Sequence, residues 1–338
     1  MPRITANPTL PAYGESREMP WNVMGGALAS NAATVTEALA QAGLNYTVRM
    51  TPLEGVERET DDDGLMVGET RLDADEWRAV VRPMPDGTDK VIGVTGRRFR
   101  PIQNGDAFAP ADYLVSEFGA KVTGAADFRN GKASLLVVDL ARPITLTRKD
   151  GESDPLDLFL LIKNAHDGSA ALTMALTAMR LACTNAVQAA IGKAERSWKV
   201  SHTPKADARL QVARQALLAA IDYKDAFQEK AQAMIDTAMV DAEFDKIIGR
   251  LWAVKPDAEG VAAERRRAIQ DEVRSIYHDS PTLEGVRGTR WGAYSAVTEW
   301  LDHYRPVKGD EAASRAEGAL EGPYVRMKAN VWKMLATV

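Results

Sequence analysis

The chain has 338 residues, 45% apolar and 26% charged, enough to fold and bury a core and unlike a disordered chain. Its net charge of −5 argues against a polyanion binder that uses its whole surface, and its single cysteine, Cys183, excludes an internal disulfide. No apolar run approaches bilayer length and the first residues, Met1 to Thr5, show no basic-then-apolar leader, so a cytoplasmic protein without a membrane partner is expected.

Residues 1–30, with Pro2, Pro8, Pro11 and Pro20, read as an extended N-terminal arm that Trp21 could anchor. Residues 31–200 read as an α+β core. Thr34–Ala42 is expected as a short helix that Gly43 ends. Asn45–Thr51 alternates as a strand, and the acidic Glu54–Gly64 reads as a loop without calcium-ligand spacing. Glu76–Arg82 and Lys90–Arg100 form a hairpin through Pro85-Asp86-Gly87, and Gly105–Phe118 is a helix. Lys121–Phe128 and Lys132–Leu140 form a second hairpin around Asn130-Gly131, a strong turn signal, followed by the strand Leu156–Lys163. Ser169–Gly192 carries apolar residues at helical spacing and reads as a long, alanine-rich helix. The order implies an antiparallel sheet packed against helices. Residues 201–338 read as a helical C-terminal region, with helices at 207–232, 236–254, 261–277, 289–304 and 311–335 separated mostly by prolines.

Charge is spread unevenly. Glu54 to Asp89 holds twelve acids against four bases, whereas Lys90 to Lys199 holds fifteen bases against eleven acids. A local anion site in the middle of the chain is therefore compatible with a negative total.

Three segments stand out. In Arg97-Arg98-Phe99-Arg100, strand alternation sets Arg98 and Arg100 on one face and Phe99 on the other, a plausible phosphate platform whose plainer reading is a solvated strand over a core phenylalanine. Asn164-Ala165-His166-Asp167-Gly168-Ser169 opens the expected alanine-rich helix, whose first amides could hold an anion and whose Arg180 would touch phosphate if exposed or need a partner if buried. His166 there has a plainer reading as a core histidine bonded to a loop. Trp291, Tyr294, Trp300 and Tyr304, interleaved with Arg287, Arg290 and Arg305, could stack bases or simply anchor a helix. The run Glu264-Arg265-Arg266-Arg267 is a solvated helix face.

Neither a phosphate-binding glycine loop nor a nucleophile elbow is present, and the histidines lack metal-ligand spacing, so no cofactor and no catalytic residue is expected.

Arg98–Phe108, Asn164–Asn185 and Thr289–His303 resemble the phage/plasmid-like protein family, which is found on bacteriophages, plasmids and prophages and has no assigned function. This chain has Trp21-Asn22 where that family tends to carry Trp-His. The order of elements is also similar to the core of single-strand annealing proteins, which form rings and hold one DNA strand in a basic groove between sheet and helix. That similarity implies a homo-oligomer, a ring among its forms, acting on single-stranded DNA in recombination inside a bacterial host. It implies that Arg97, Arg98 and Arg100, with Lys163, Arg180, Lys193, Arg196 and Lys199 around the helix and His166 at its start, line one cleft facing phosphates. The alternative is a protein-binding anti-defence or regulatory factor, suggested by the acidic stretch and the negative total. A nucleic-acid enzyme using Asp106, Asp139 and Asp167 ranks behind both.

Overall fold

A computed structural model describes residues 34–128, 131–180, 185–187, 197–203, 223–307, 314–315, 318 and 322–336. Helix α1 (Val35–Gln41) begins where the Thr34 hydroxyl accepts a bond from the Glu37 amide at 3.1 Å and buries Val35, Ala38 and Leu39. Strands β1 (Arg49–Thr60), β2 (Met66–Pro83) and β3 (Asp89–Gly96) form an antiparallel three-stranded sheet. The acidic segment expected as a loop is the outer half of the β1–β2 pair, with Glu54 opposite Asp73 and Thr60 opposite Met66. Its charges mask the strand signal because both faces are solvated and no apolar alternation is needed.

Helix α2 (Asn104–Phe118) ends at Gly119; β4 (Lys121–Phe128) and β5 (Ala133–Asp139) follow as the hairpin expected and β7 (Ser153–Ala165) as the strand expected, with a short strand β6 (Ile144–Thr147) between them that was not expected. The described part of the alanine-rich segment, residues 169–180 and 185–187, is not a helix. Its first part is strand β8 (Leu172–Arg180), joined by β9 (Asn185–Val187) and β10 (Ser197–Val200). These strands make a seven-stranded antiparallel sheet, ordered β10-β8-β7-β5-β4, with β6 on β7 and β9 on β8. All nine residues of β8 are buried, so its apolar residues show no period of two, and alanine content tips the reading toward helix. Pairing with β7, from Leu156–Arg180 to Lys163–Thr173, overrides that propensity.

The C-terminal region is helical as expected: α3 (Tyr223–Asp236), α4 (Asp241–Leu251), α5 (Val261–Asp279), α6 (Arg290–Glu299) with a π-helical turn at Trp300–Tyr304, and α7 (Pro323–Leu335). One apolar cluster runs from Val35 through the inner face of the sheet (Leu136, Leu158, Leu160, Met174) to Trp332 and Leu335. The C-terminal helices therefore share one core with the strands. The opposite face holds a smaller cluster around Leu135, Phe159, Leu161 and Met179. No helix among the described residues is long and apolar enough to cross a membrane.

Candidate nucleic-acid interface

Strand pairing decides where the cations point. Lys163 lies opposite Thr173, and Thr173 opposite Lys199, so these three form one row on the face of Leu135 and Leu161. Arg180 lies opposite Leu156, on the other face. Side chains alternate along a strand, so Lys163 and Arg180 cannot share a cleft. The common cleft expected from the sequence is not formed.

Arg180 is fully buried and held by Asp154. Its Nε donates to both carboxylate oxygens at 2.8 and 2.7 Å, and Nη1 donates to the Thr282 carbonyl at 2.8 Å. The Trp291 indole donates to the same carboxylate at 2.8 Å. Arg180 thus ties the sheet to the C-terminal helices and has no route to a phosphate. Lys163 and His166 are buried as well, a further correction. Lys193 and Arg196 lie outside the described residues.

The aromatic set is core, too. Trp291, Tyr294 and Trp300 are buried, with Trp291 stacked on Tyr294 at 5.8 Å and Tyr294 edge-on to Trp332 at 5.4 Å. Arg287 and Arg290 donate to the Ser280 and Leu335 carbonyls, and Arg305 lies 4.2 Å over the Tyr324 ring.

The first two segments do meet, at the joint between the two sheets. Glycine at position 93 lets β3 touch the turn after β7, since a Cβ there would lie 2.7 Å from the Asp167 carbonyl oxygen. Beside this contact, Asn104, at the start of α2, is the hub of a buried polar network. Its amide nitrogen donates to the Leu44 carbonyl at 3.0 Å, which identifies its other atom as the carbonyl oxygen. That oxygen accepts from Ser134 at 2.7 Å and from Asn164 at 3.0 Å, and it lies 2.9 Å from His166 Nε2. An oxygen only accepts, so His166 carries its proton on Nε2 and leaves a bare lone pair on Nδ1. In His202 the Nδ1 accepts from the Ile102 amide at 3.1 Å, and its proton therefore sits on Nε2 as well.

Desolvation drives both histidines down from 6.5 to about 4, with His202 and Arg82 adding to the effect on His166. Both are neutral at physiological pH. Arg82 lies 3.8 Å over the Tyr46 ring and pairs with Asp127, and burial raises the Tyr46 phenol. Several buried atoms here make no hydrogen bond among the described residues: His166 Nδ1, His202 Nε2, Asn164 Oδ1 and Thr95 Oγ1. The Tyr46 hydroxyl is also without a well-aligned partner, although Asn104 is within its reach.

His202 is also the clamp that shapes the exposed surface. Phe99 stacks on its ring at 4.9 Å, and the Arg100 amide donates to its carbonyl at 3.1 Å. The Arg97–Arg100 turn is thereby fixed beside the end of β10, an edge strand that carries Lys199. Arg98, Arg100 and Lys199 are all exposed on this rim. The Arg100 guanidinium donates to the Arg97 and Phe99 carbonyls, both at 2.8 Å, which orients it without neutralising it. Arg97 reaches Glu76 at 3.2 Å, so part of its charge is spent within the chain.

Of the nine expected residues, then, Arg98, Arg100 and Lys199 form the rim with Arg97 at its margin, while Lys163, His166 and Arg180 are interior. Beside His166, the joint contains Asn164 of the same segment, and Tyr46, Arg82, Asn104 and His202, which the sequence did not single out. Asn164 and His166, two apart and polar within an apolar strand, are the visible sign of a buried polar network.

Fold and site together describe an α+β protein with an antiparallel sheet backed by helices, a buried polar joint and a basic rim. Residues 91–320 match the model of a family described as a domain of unknown function (DUF932), and the chain belongs to that family. No curated protein matches the chain, and no solved structure does.

Proposed function

We propose that this protein binds single-stranded DNA along the rim of Arg98, Arg100 and Lys199, and that it anneals strands during recombination of a phage or other mobile element. The observation that carries the reading is the clamp: Phe99, Arg100 and Ile102 are all fastened to His202, holding two arginines outward beside an edge strand. Arg98 and Arg100 are both exposed and two backbone carbonyls orient the Arg100 guanidinium, and guanidiniums suit phosphate oxygens without reading sequence. Phe99, already stacked on His202, supports the rim from beneath. Annealing requires only reversible, sequence-independent contact, which a small basic surface supplies.

The test is fluorescence anisotropy of a labelled oligonucleotide across a salt series. Binding at low salt that weakens steeply as salt rises is expected. Pure, folded protein that fails to bind at low salt would end the proposal. A second reading, in which the chain binds a protein as an anti-defence or regulatory factor, is favoured by the acidic, exposed β1–β2 pair. Pull-down from nuclease-treated host lysate separates the two.

A further inference from the structure

The outer part of the β1–β2 pair, residues 54–76, is a two-stranded ribbon with no buried residue. Its strands run roughly 25 Å beyond the three-stranded sheet, at about 3.3 Å per residue. Ion pairs within it join Arg58 to Glu69 and Arg71 to Glu54 and Glu69, and Glu76 pairs with Arg97 at its foot. Eight of the eleven exposed large apolar side chains among the described residues lie between positions 56 and 94, on the ribbon and the sheet at its foot. Leu65, Met66 and Val67 form the tip, and Trp77, Val91 and Val94 lie at the foot. A ribbon with both edges open and apolar residues in water gains little stability alone and gains much from a partner.

Charge selects the partner. The ribbon holds ten acids and two bases, a net of −8, so the rest of the chain carries +3 against a total of −5. Two ribbons repel one another, and a nucleic acid repels both. The body of another copy attracts them, most strongly where exposed arginines are gathered: at Arg98–Arg100, beside an open strand edge that a ribbon can meet, and at Arg265–Arg267 on a helix, where Arg266 and Arg267 already donate to the Ala253 and Ala258 carbonyls. We infer that the ribbon of one copy docks on the Arg98–Arg100 rim of a second copy. The two surfaces differ, so the contact is head-to-tail, and repetition closes a ring or extends a filament. This inference rests on the reading of the rim as an anion-binding surface. Ribbon and single-stranded DNA then compete for the same arginines.

Light scattering after gel filtration of the full chain tests it. Assembly is expected at 50 mM salt and dissociation at 1 M. Replacing residues 54–73 with Asn-Gly leaves a monomer at both, with the rest of the fold intact because the ribbon buries none of its residues in its own chain. The triple change Asp61→Lys, Asp62→Lys, Asp63→Lys and the double change Arg98→Glu, Arg100→Glu each weaken assembly at least tenfold, and mixing the two variants restores a hetero-assembly. A wild-type chain that stays monomeric at high concentration in low salt overturns the inference, as does a ribbon-shortened chain that assembles like the wild type. Oligonucleotide binding by the shortened monomer is read separately. If it binds, the proposed function stands whatever becomes of the ribbon. If it does not bind while assembly still depends on both charge sets, only the function falls.

Discussion

Two of the places where the described residues bury polar groups are built differently. At the seam between the large sheet and the C-terminal helices, Arg180, Asp154, Trp291 and Thr282 close a compact set of bonds between 2.7 and 2.8 Å. At the joint between the two sheets, Asn104 is saturated, but His166, His202, Asn164 and Thr95 each keep a buried atom without a bond among the described residues. A closed network specifies one packing, whereas an incomplete one costs desolvation that only hydration can recover. The contrast predicts that the joint yields before the seam. The rim hangs on the joint through His202.

Breaking the seam gives the largest effect. Asp154→Ala strands Arg180 without its carboxylate, and a buried unpaired charge costs about 3–5 kcal/mol. A urea midpoint unchanged from wild type would show that the pair is dispensable. The comparison sharpens next with pH. Unfolded, each histidine takes up a proton near 6.5, and folded it resists until about 4. The unfolded state binds more protons across that window, so stability is full above pH 6.5 and falls as pH drops toward 4, by roughly 3 kcal/mol per histidine at most. His166→Gln keeps the donor to Asn104 and His202→Asn keeps the acceptor for Ile102, so the double variant should flatten the pH profile of urea unfolding between 7 and 4. An equally steep profile in that variant would place the acid lability elsewhere.

The rim comes third. Arg98→Glu with Arg100→Glu should weaken oligonucleotide binding at least tenfold, equivalent to about 1.4 kcal/mol. The slope of log affinity against log salt should fall by about 0.7 for each phosphate that is no longer neutralised. Stability should barely change, because both side chains are exposed; a large drop in thermal midpoint would mean that the turn is structural. Smallest is Arg97→Ala. Its pair with Glu76 joins two side chains more than half exposed and is worth under about 0.5 kcal/mol. Chemical denaturation should not distinguish that variant from wild type, and a loss of more than about 1 kcal/mol would contradict the weight given to exposed pairs.

Much of this organisation is legible in the residues. Asn130-Gly131 announces the β4–β5 hairpin, and glycine suits position 131 because its φ of +83° is a left-handed conformation that side chains rarely adopt. Proline spacing and helical periodicity locate α3 to α7. Strand β8 escapes such a reading because a strand buried on both faces and a buried helix show the same unbroken apolar run. Arg180 shares its fate: on a helix it belongs to a polar stripe, and on β8 it points into the core. The acidic ribbon is hidden for the opposite reason, having no buried face to write a pattern.

By itself, then, the sequence determined the fold class, the hairpins, the C-terminal helices and the concentration of acid between Glu54 and Asp89, since each depends on local turn chemistry, periodicity or composition. Only the tertiary structure decided which cations remain outside. Burial of a charge depends on which strand pairs with which and on the face each register presents, and those are set by contacts between residues as far apart as Asp154 and Trp291.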